Sequence, residues 1–110
     1  MPWLEPRVPV SLSADFIFKY FITFTEKKLQ DVVDKTLSDL WPQECARRCV
    51  DETSFACQSF DYERGTRTCY LRTVNKDTGG GLFPTFDSQH YDHYERGAYP
   101  IPCSHVSVDL

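Results

Sequence analysis

Four of the chain's five cysteines lie between Cys45 and Cys69, at the spacing C-x3-C-x7-C-x11-C. In a short chain such a cluster reads either as a disulfide framework or as a metal site. Pro42 suits the first turn of a helix, where its missing N–H costs nothing. Glu44 then falls near the positive end of the helix dipole. Ser38 or Asp39 would cap a slightly earlier start. Along that helix Trp41, Cys45, Ala46, Cys49 and Val50 share one stripe, which is expected to be buried. Glu44 with Arg48, and Arg47 with Asp51, are i,i+4 pairs on a solvated face.

Ala56 to Tyr62 reads as a strand, Glu63 to Arg67 as a turn in which Gly65 takes positive φ, and Thr68 to Val74 as the returning strand. Alternation places Cys69 and Leu71 on one face, and Cys57 and Ser59 on one face of the partner strand. Two cysteines on a helix then meet two on a hairpin. Cys45 and Cys49 point the same way from adjacent turns, which disfavours a bridge between them and leaves two pairings open. Nesting Cys49–Cys57 inside Cys45–Cys69 would close the short connection from Val50 to Ala56. Each bridge contributes about 2–4 kcal/mol, mainly by restricting the unfolded chain. Zinc is the competing reading. Structural zinc sites draw ligands from tight knuckles, and only one close pair exists here. His90 and His93 add nothing, because i,i+3 on a strand sends them to opposite faces; both are expected at the surface or half-buried. No metal and no cofactor is expected.

At 110 residues the chain is one domain with a modest core, so staples matter. Aromatic residues make up 15%, with eight Phe and six Tyr, and the core is expected to be aromatic-rich. The run from Phe16 to Phe24 favours a strand, with Phe16, Phe18, Tyr20, Ile22 and Phe24 on one face. Uncovered, it would be an aggregation hazard. Residues 26–40 are read as a turn followed by a short strand around Val32 to Leu37. Gly79-Gly80-Gly81 marks a flexible loop, and His90 to Arg96 a last strand. Residues 1–13 read as an extended lead-in and 97–110 as a proline-containing tail or inter-module linker. The N-terminus lacks the build of a signal peptide, so Met1 is read as an artificial start and the chain as a piece of a longer secreted protein.

A net charge of −4 argues against nucleic acid as a partner. No apolar run is long enough for membrane insertion. There is no Gly-x-Ser-x-Gly, no Gly-rich phosphate loop and no HExxH, so no enzyme is expected. A thiol nucleophile would have to be Cys103, served by His90, His93 or His105, and a proline-rich tail holds it poorly. Cys103 is the odd cysteine, unpaired or bridged to an adjacent module.

Glu44-Cys45-Ala46-Arg47-Arg48-Cys49, then Phe55-Ala56-Cys57-Gln58-Ser59-Phe60-Asp61-Tyr62, then Cys69-Tyr70-Leu71, then Asp92-His93-Tyr94-Glu95-Arg96 resembles the PAN/apple family. The likeness is to hairpin-loop modules of the plasminogen and hepatocyte growth factor type and to extracellular-matrix PAN modules. It covers about residues 14–96 and rests on the cysteine spacing with Cys-x-Ser-Phe-x-Tyr. It implies an α+β fold, a curled antiparallel β-sheet cradling one α-helix. It also implies the nested pairing and a non-catalytic extracellular module that binds another protein or a glycan. Trp41, in place of a small capping residue, the aromatic first strand and the irregular stretch 74–89 depart from the family pattern. Exposed aromatics and arginines dominate protein interfaces, which makes Tyr62, Arg64, Arg67, Tyr91 and Tyr94 the candidate contacts. Arg64, Arg67 and Arg72 would supply a small basic cluster for a glycosaminoglycan. A thiol count on the denatured, unreduced chain checks the bridges. One reactive thiol of the five is expected, and five would exclude disulfides.

Overall fold

Pro42 opens the helix that carries the first two cysteines, α2 (Pro42–Asp51), in a computed structural model that describes residues 13–85 and 90–97. The readings for residues 1–12 and for 98–110, including Cys103 and His105, lie outside the described residues. The helix starts neither at Ser38 nor at Asp39. Trp41 is its N-cap, and the Trp41 N–H donates to the Glu44 carboxylate at 2.8 Å. Arg47 and Asp51 pair at 3.0 Å across one helical turn.

The strands are β1 (Phe21–Phe24), β2 (Lys27–Leu29), β3 (Lys35–Leu37), β4 (Ser59–Glu63), β5 (Thr68–Arg72), β6 (Leu82–Pro84) and β7 (Tyr91–Arg96). Five form an antiparallel sheet in the order β1-β7-β4-β5-β3, and β2 with β6 forms a two-stranded ribbon. The fold is α+β, and α2 packs on one face of the larger sheet. Cys45 bridges Cys69 with the Cα atoms 6.0 Å apart, and Cys49 bridges Cys57 at 5.2 Å. The bridges are therefore nested, and all four cysteines are buried.

Register explains the helix-facing core. Phe60 lies opposite both Leu71 and Tyr94, and Tyr62 opposite Cys69. These five side chains join Ile17, Phe21, Cys45, Ala46 and Cys49 in one apolar cluster. Its aromatic members touch directly: Phe60 and Tyr94 at 4.9 Å, Phe21 and Phe60 at 5.6 Å between ring centroids. Across the β4–β5 ladder Cys69 and Leu71 lie opposite Tyr62 and Phe60, and Cys57 joins their cluster, whereas Ser59 lies opposite Arg72, so Cys57 and Ser59 do not share a face. Cys57 precedes β4, and the Ser59 hydroxyl instead donates to the Val74 carbonyl at 2.6 Å.

The run from Phe16 to Phe24 is not one strand. Residues Ala14–Phe18 form a single-turn helix, α1, and only Phe21–Phe24 is extended. Ser13 caps α1 by accepting the Phe16 N–H at 3.1 Å, and Asp15 sits in its first turn. Ile17 is fully buried, and α1 packs against α2. Burial against a neighbouring helix outweighs the local strand preference of aromatic and β-branched residues.

Between residues 26 and 40 the short strand β3 follows a turn, while β2 was not anticipated, because its Lys-Lys-Leu has no strand pattern of its own. In the β4–β5 turn the left-handed residue is Arg67 (φ 53°), not Gly65. Gly79 to Gly81 is a packed corner rather than a flexible loop. A Cβ on Gly80 would lie 2.1 Å from the Gln30 carbonyl oxygen, and the Gln30 N–H donates to the Gly81 carbonyl at 3.0 Å. Gly80→Ala is therefore expected to destabilise the fold by about 1–3 kcal/mol through overpacking. Gly65→Ala, with nothing within 4 Å of the new methyl, should change little. Urea unfolding midpoints of the two variants check the contrast.

Candidate interaction surface

The sheet face away from α2 is built from charge. Asp61, Arg72, His93 and Glu95 lie on adjacent strands in matching register: Asp61 opposite His93, and Ser59 opposite both Arg72 and Glu95. All four are buried. Asp61 accepts from Arg72 Nε at 3.0 Å and Nη2 at 2.7 Å, and from the Leu29 N–H at 3.2 Å. His93 Nδ1 lies 2.7 Å from Asp61 Oδ1, and His93 Nε2 lies 2.9 Å from Glu95 Oε2. His93, expected at the surface or half-buried, is thus fully enclosed between two carboxylates, because the β2–β6 ribbon and the 30–33 loop cover this face. Arg72 Nη1 donates to the Val32 carbonyl at 2.8 Å and also to the Asp31 carbonyl. Glu95 accepts the Lys76 N–H. The charge layer therefore anchors β2, the 31–32 loop and the 75–76 turn to the sheet.

Above Arg72 a groove of about 340 Å³ opens, with Lys28, Gln30 and Asp31 along one side and Tyr70, Tyr91 and Phe83 among its walls. The Tyr70 hydroxyl donates to Glu63 Oε1 at 3.1 Å, and the Tyr91 hydroxyl approaches the same atom at 3.4 Å. Burial, then the bond to Glu63, pushes Tyr70 up to about 12. Burial is also the main cause that raises Tyr91. Both phenols thus remain hydrogen-bond donors at neutral pH and are no use as bases. The groove offers aromatic walls and fixed polar groups, which suits binding. Among the described residues no group of three or more His, Cys, Asp or Glu is arranged to hold a metal ion.

Of the five contact residues expected from sequence, Tyr62 and Tyr94 are scaffold, and Tyr91 is a largely buried wall of the groove. Tyr62 is 2% exposed and donates to the Leu40 carbonyl at 2.8 Å on the α2 side. Tyr94 is 6% exposed, packed between Phe60 and Phe18, and burial pushes its phenol up to about 12. Tyr91 is 9% exposed, with the Lys28 ammonium 4.4 Å over its ring. Their strands are covered on both faces, so alternation does not turn one set of side chains to water. Arg64 and Arg67 do reach the surface. Arg64 pairs with Glu26 at 2.5 Å and with Asp92 at 3.2 Å. Arg67 pairs with Asp39 at 3.2 Å. Arg72 is 1% exposed, so the basic cluster of Arg64, Arg67 and Arg72 does not form.

Trp41 was expected in the buried stripe and is instead 56% exposed. The physical reason is its N-cap position: an extended residue before Pro42 does not share the helical period. The Arg67 guanidinium lies 4.7 Å over the indole. The Leu40 N–H donates to the Arg67 carbonyl at 3.1 Å, which ties this corner to the β4–β5 turn. Asp39 (φ 62°) and Arg67 (φ 53°), both non-glycine, hold left-handed backbone on either side of the stack. The Trp-Pro dipeptide was the available signal for an outward Trp41.

The PAN domain family model matches residues 18–99. The chain belongs to the PAN family. PAN domains are protein- and carbohydrate-binding modules of larger proteins and are generally non-catalytic. No curated protein matches this one. In this PAN module no described helix is long and apolar enough to cross a membrane.

The charge layer carries a measurable consequence. His93→Leu leaves the Asp61 and Glu95 carboxylates facing a hydrocarbon, which should cost about 3–5 kcal/mol. Arg64→Ala, at an exposed ion pair, should cost no more than about 1 kcal/mol. Equilibrium denaturation at neutral pH gives both numbers.

Proposed function

We infer that the chain is a non-catalytic PAN module of a larger extracellular protein and binds a protein partner through the corner formed by Trp41 and Arg67. The observation that carries this reading is an exposed indole capped by a guanidinium, held outward by left-handed backbone at Asp39 and Arg67. Left-handed non-glycine residues cost free energy and persist where the surrounding structure imposes them. Trp and Arg are the side chains that most often dominate a protein interface. Arg67 is then a direct contact and Arg64 a peripheral one, while Tyr62 braces the corner through its bond to the Leu40 carbonyl. The module runs from residue 14 to 96, with 97–110 as linker, and Cys103 bridges to a neighbouring module. Two buried disulfides fit an oxidising compartment outside the cell.

A second reading is carbohydrate binding in the groove over Arg72. Aromatic walls at Tyr70 and Phe83, beside the Gln30 amide and Asp31 carboxylate, suit an uncharged sugar rather than heparin. Without the basic cluster, the module should pass through a heparin column at physiological salt.

Trp41→Ala is expected to weaken capture of a protein partner from extracellular-matrix extract by about 2 kcal/mol or more, as for an interface hot spot. Its unfolding midpoint should stay near that of the parent, because the side chain is largely in solvent. Undiminished capture by both Trp41→Ala and Arg67→Ala would move the contact away from this corner.

A further inference from the structure

Two tyrosines meet on the sheet face that the ribbon covers. Tyr70 on β5 and Tyr91 on β7 stand on either side of β4, with Tyr91 opposite Glu63 and Tyr70 opposite Asp61. Their ring centroids lie 6.1 Å apart, with the planes inclined by 39°. Among the described residues no other two tyrosine rings are in contact. Both rings also wall the groove, and Tyr70 is only half-buried, so the pair is reached from solvent.

Glu63 ties the two phenols together. The Tyr70 hydroxyl donates to Glu63 Oε1 at 3.1 Å, and the Tyr91 hydroxyl approaches the same oxygen at 3.4 Å. Burial, the largest cause in each case, raises both phenols, so both keep their protons at neutral pH. A protonated phenol loses an electron readily only if its proton leaves as well. A carboxylate already hydrogen-bonded to the hydroxyl is placed to take that proton. Glu63 is in that position toward both rings.

We propose that Tyr70 and Tyr91 are an oxidative cross-linking site, joined by a carbon–carbon bond between the ring positions ortho to their hydroxyls. Each phenol gives one electron to a one-electron oxidant of the peroxidase or photochemical class. Each gives one proton to Glu63, which is half-buried and passes it to water. The two phenoxyl radicals, side by side, pair their unpaired electrons in the new bond. The hydrogen on each bonded carbon then moves to the ring oxygen and restores both phenols. In total the chain loses two hydrogen atoms and the oxidant takes up two electrons. The bond clasps β5 to β7 across β4 and fixes one wall of the groove. It is a third covalent tie, on the face that the disulfides leave to ions. The oxidising compartment is that of the function proposed above; the chemistry stands without it.

Brief illumination of the dilute full chain with a ruthenium tris-bipyridyl sensitiser and persulfate supplies the oxidant. A single-chain product lighter by two hydrogen atoms should form, with the blue fluorescence of a biphenol. After disulfide reduction and trypsin, peptide 68–72 should remain joined to peptide 77–96. Tyr70→Phe and Tyr91→Phe should each abolish this link, while Tyr20→Phe, whose ring packs on Phe16, leaves it in place. Glu63→Gln keeps a hydrogen-bond acceptor but takes up no proton, and should lower the yield severalfold. No link within one chain, a link that survives either the Tyr70 or the Tyr91 substitution, or a yield unchanged by Glu63→Gln would overturn the proposal. Thermal unfolding of each variant shows that a lost link is not a lost fold.

Discussion

The Asp61 carboxylate is the point on which the outer half of this PAN module rests. Removing an ion from water costs several kcal/mol, and the cost is offset only when every lone pair finds a donor. Here the donors come from three places in the chain: the Arg72 guanidinium on β5, the His93 ring on β7 and the Leu29 N–H on β2. Because Arg72 also holds the carbonyls of Asp31 and Val32, the same charge that is satisfied in the sheet shapes the wall of the groove. Glu95, on the far side of His93, extends the tie to the 75–76 turn. A layer that elsewhere would be filled with aliphatic side chains is assembled here from hydrogen-bonded ions.

The inner half is held by different forces. Two disulfides attach α2 to β5 and to the segment before β4, and aromatic rings fill the space between helix and sheet. Disulfides act chiefly by restricting the unfolded chain, and the aromatic cluster by burying apolar surface. The sheet is thus sandwiched between a covalent, apolar layer and an ionic one. That double covering leaves few large apolar groups for solvent, and among the described residues those that remain stand out: Trp41, Ile22, Val32 and Val33. They lie at corners and edges, which a doubly covered sheet offers to partners in place of its faces.

The cysteine spacing, Pro42 and the alternation on either side of Gly65 identified α2 and the hairpin β4–β5 within a few residues. The site was much less legible. Tyr62, Tyr91 and Tyr94 look like exposed aromatics when strands are assumed to have a wet side, and here neither side is wet. His93 looks like a surface histidine until its neighbours across the strands are known to be Asp61 and, on its own strand, Glu95. Trp41 fits a buried helical stripe by count and leaves it because the N-cap is not helical.

By itself the sequence determined the family, the α+β class and the one helix that meets a hairpin, because those follow from short-range signals: cysteine spacing, a proline at a helix start, a turn between alternating runs. Only the tertiary structure decided which residues face solvent and how the ions pair. A side chain's burial depends on what is laid across it from elsewhere in the chain, and no local period records that β2, β6 and the 30–33 loop close over the second face of the sheet.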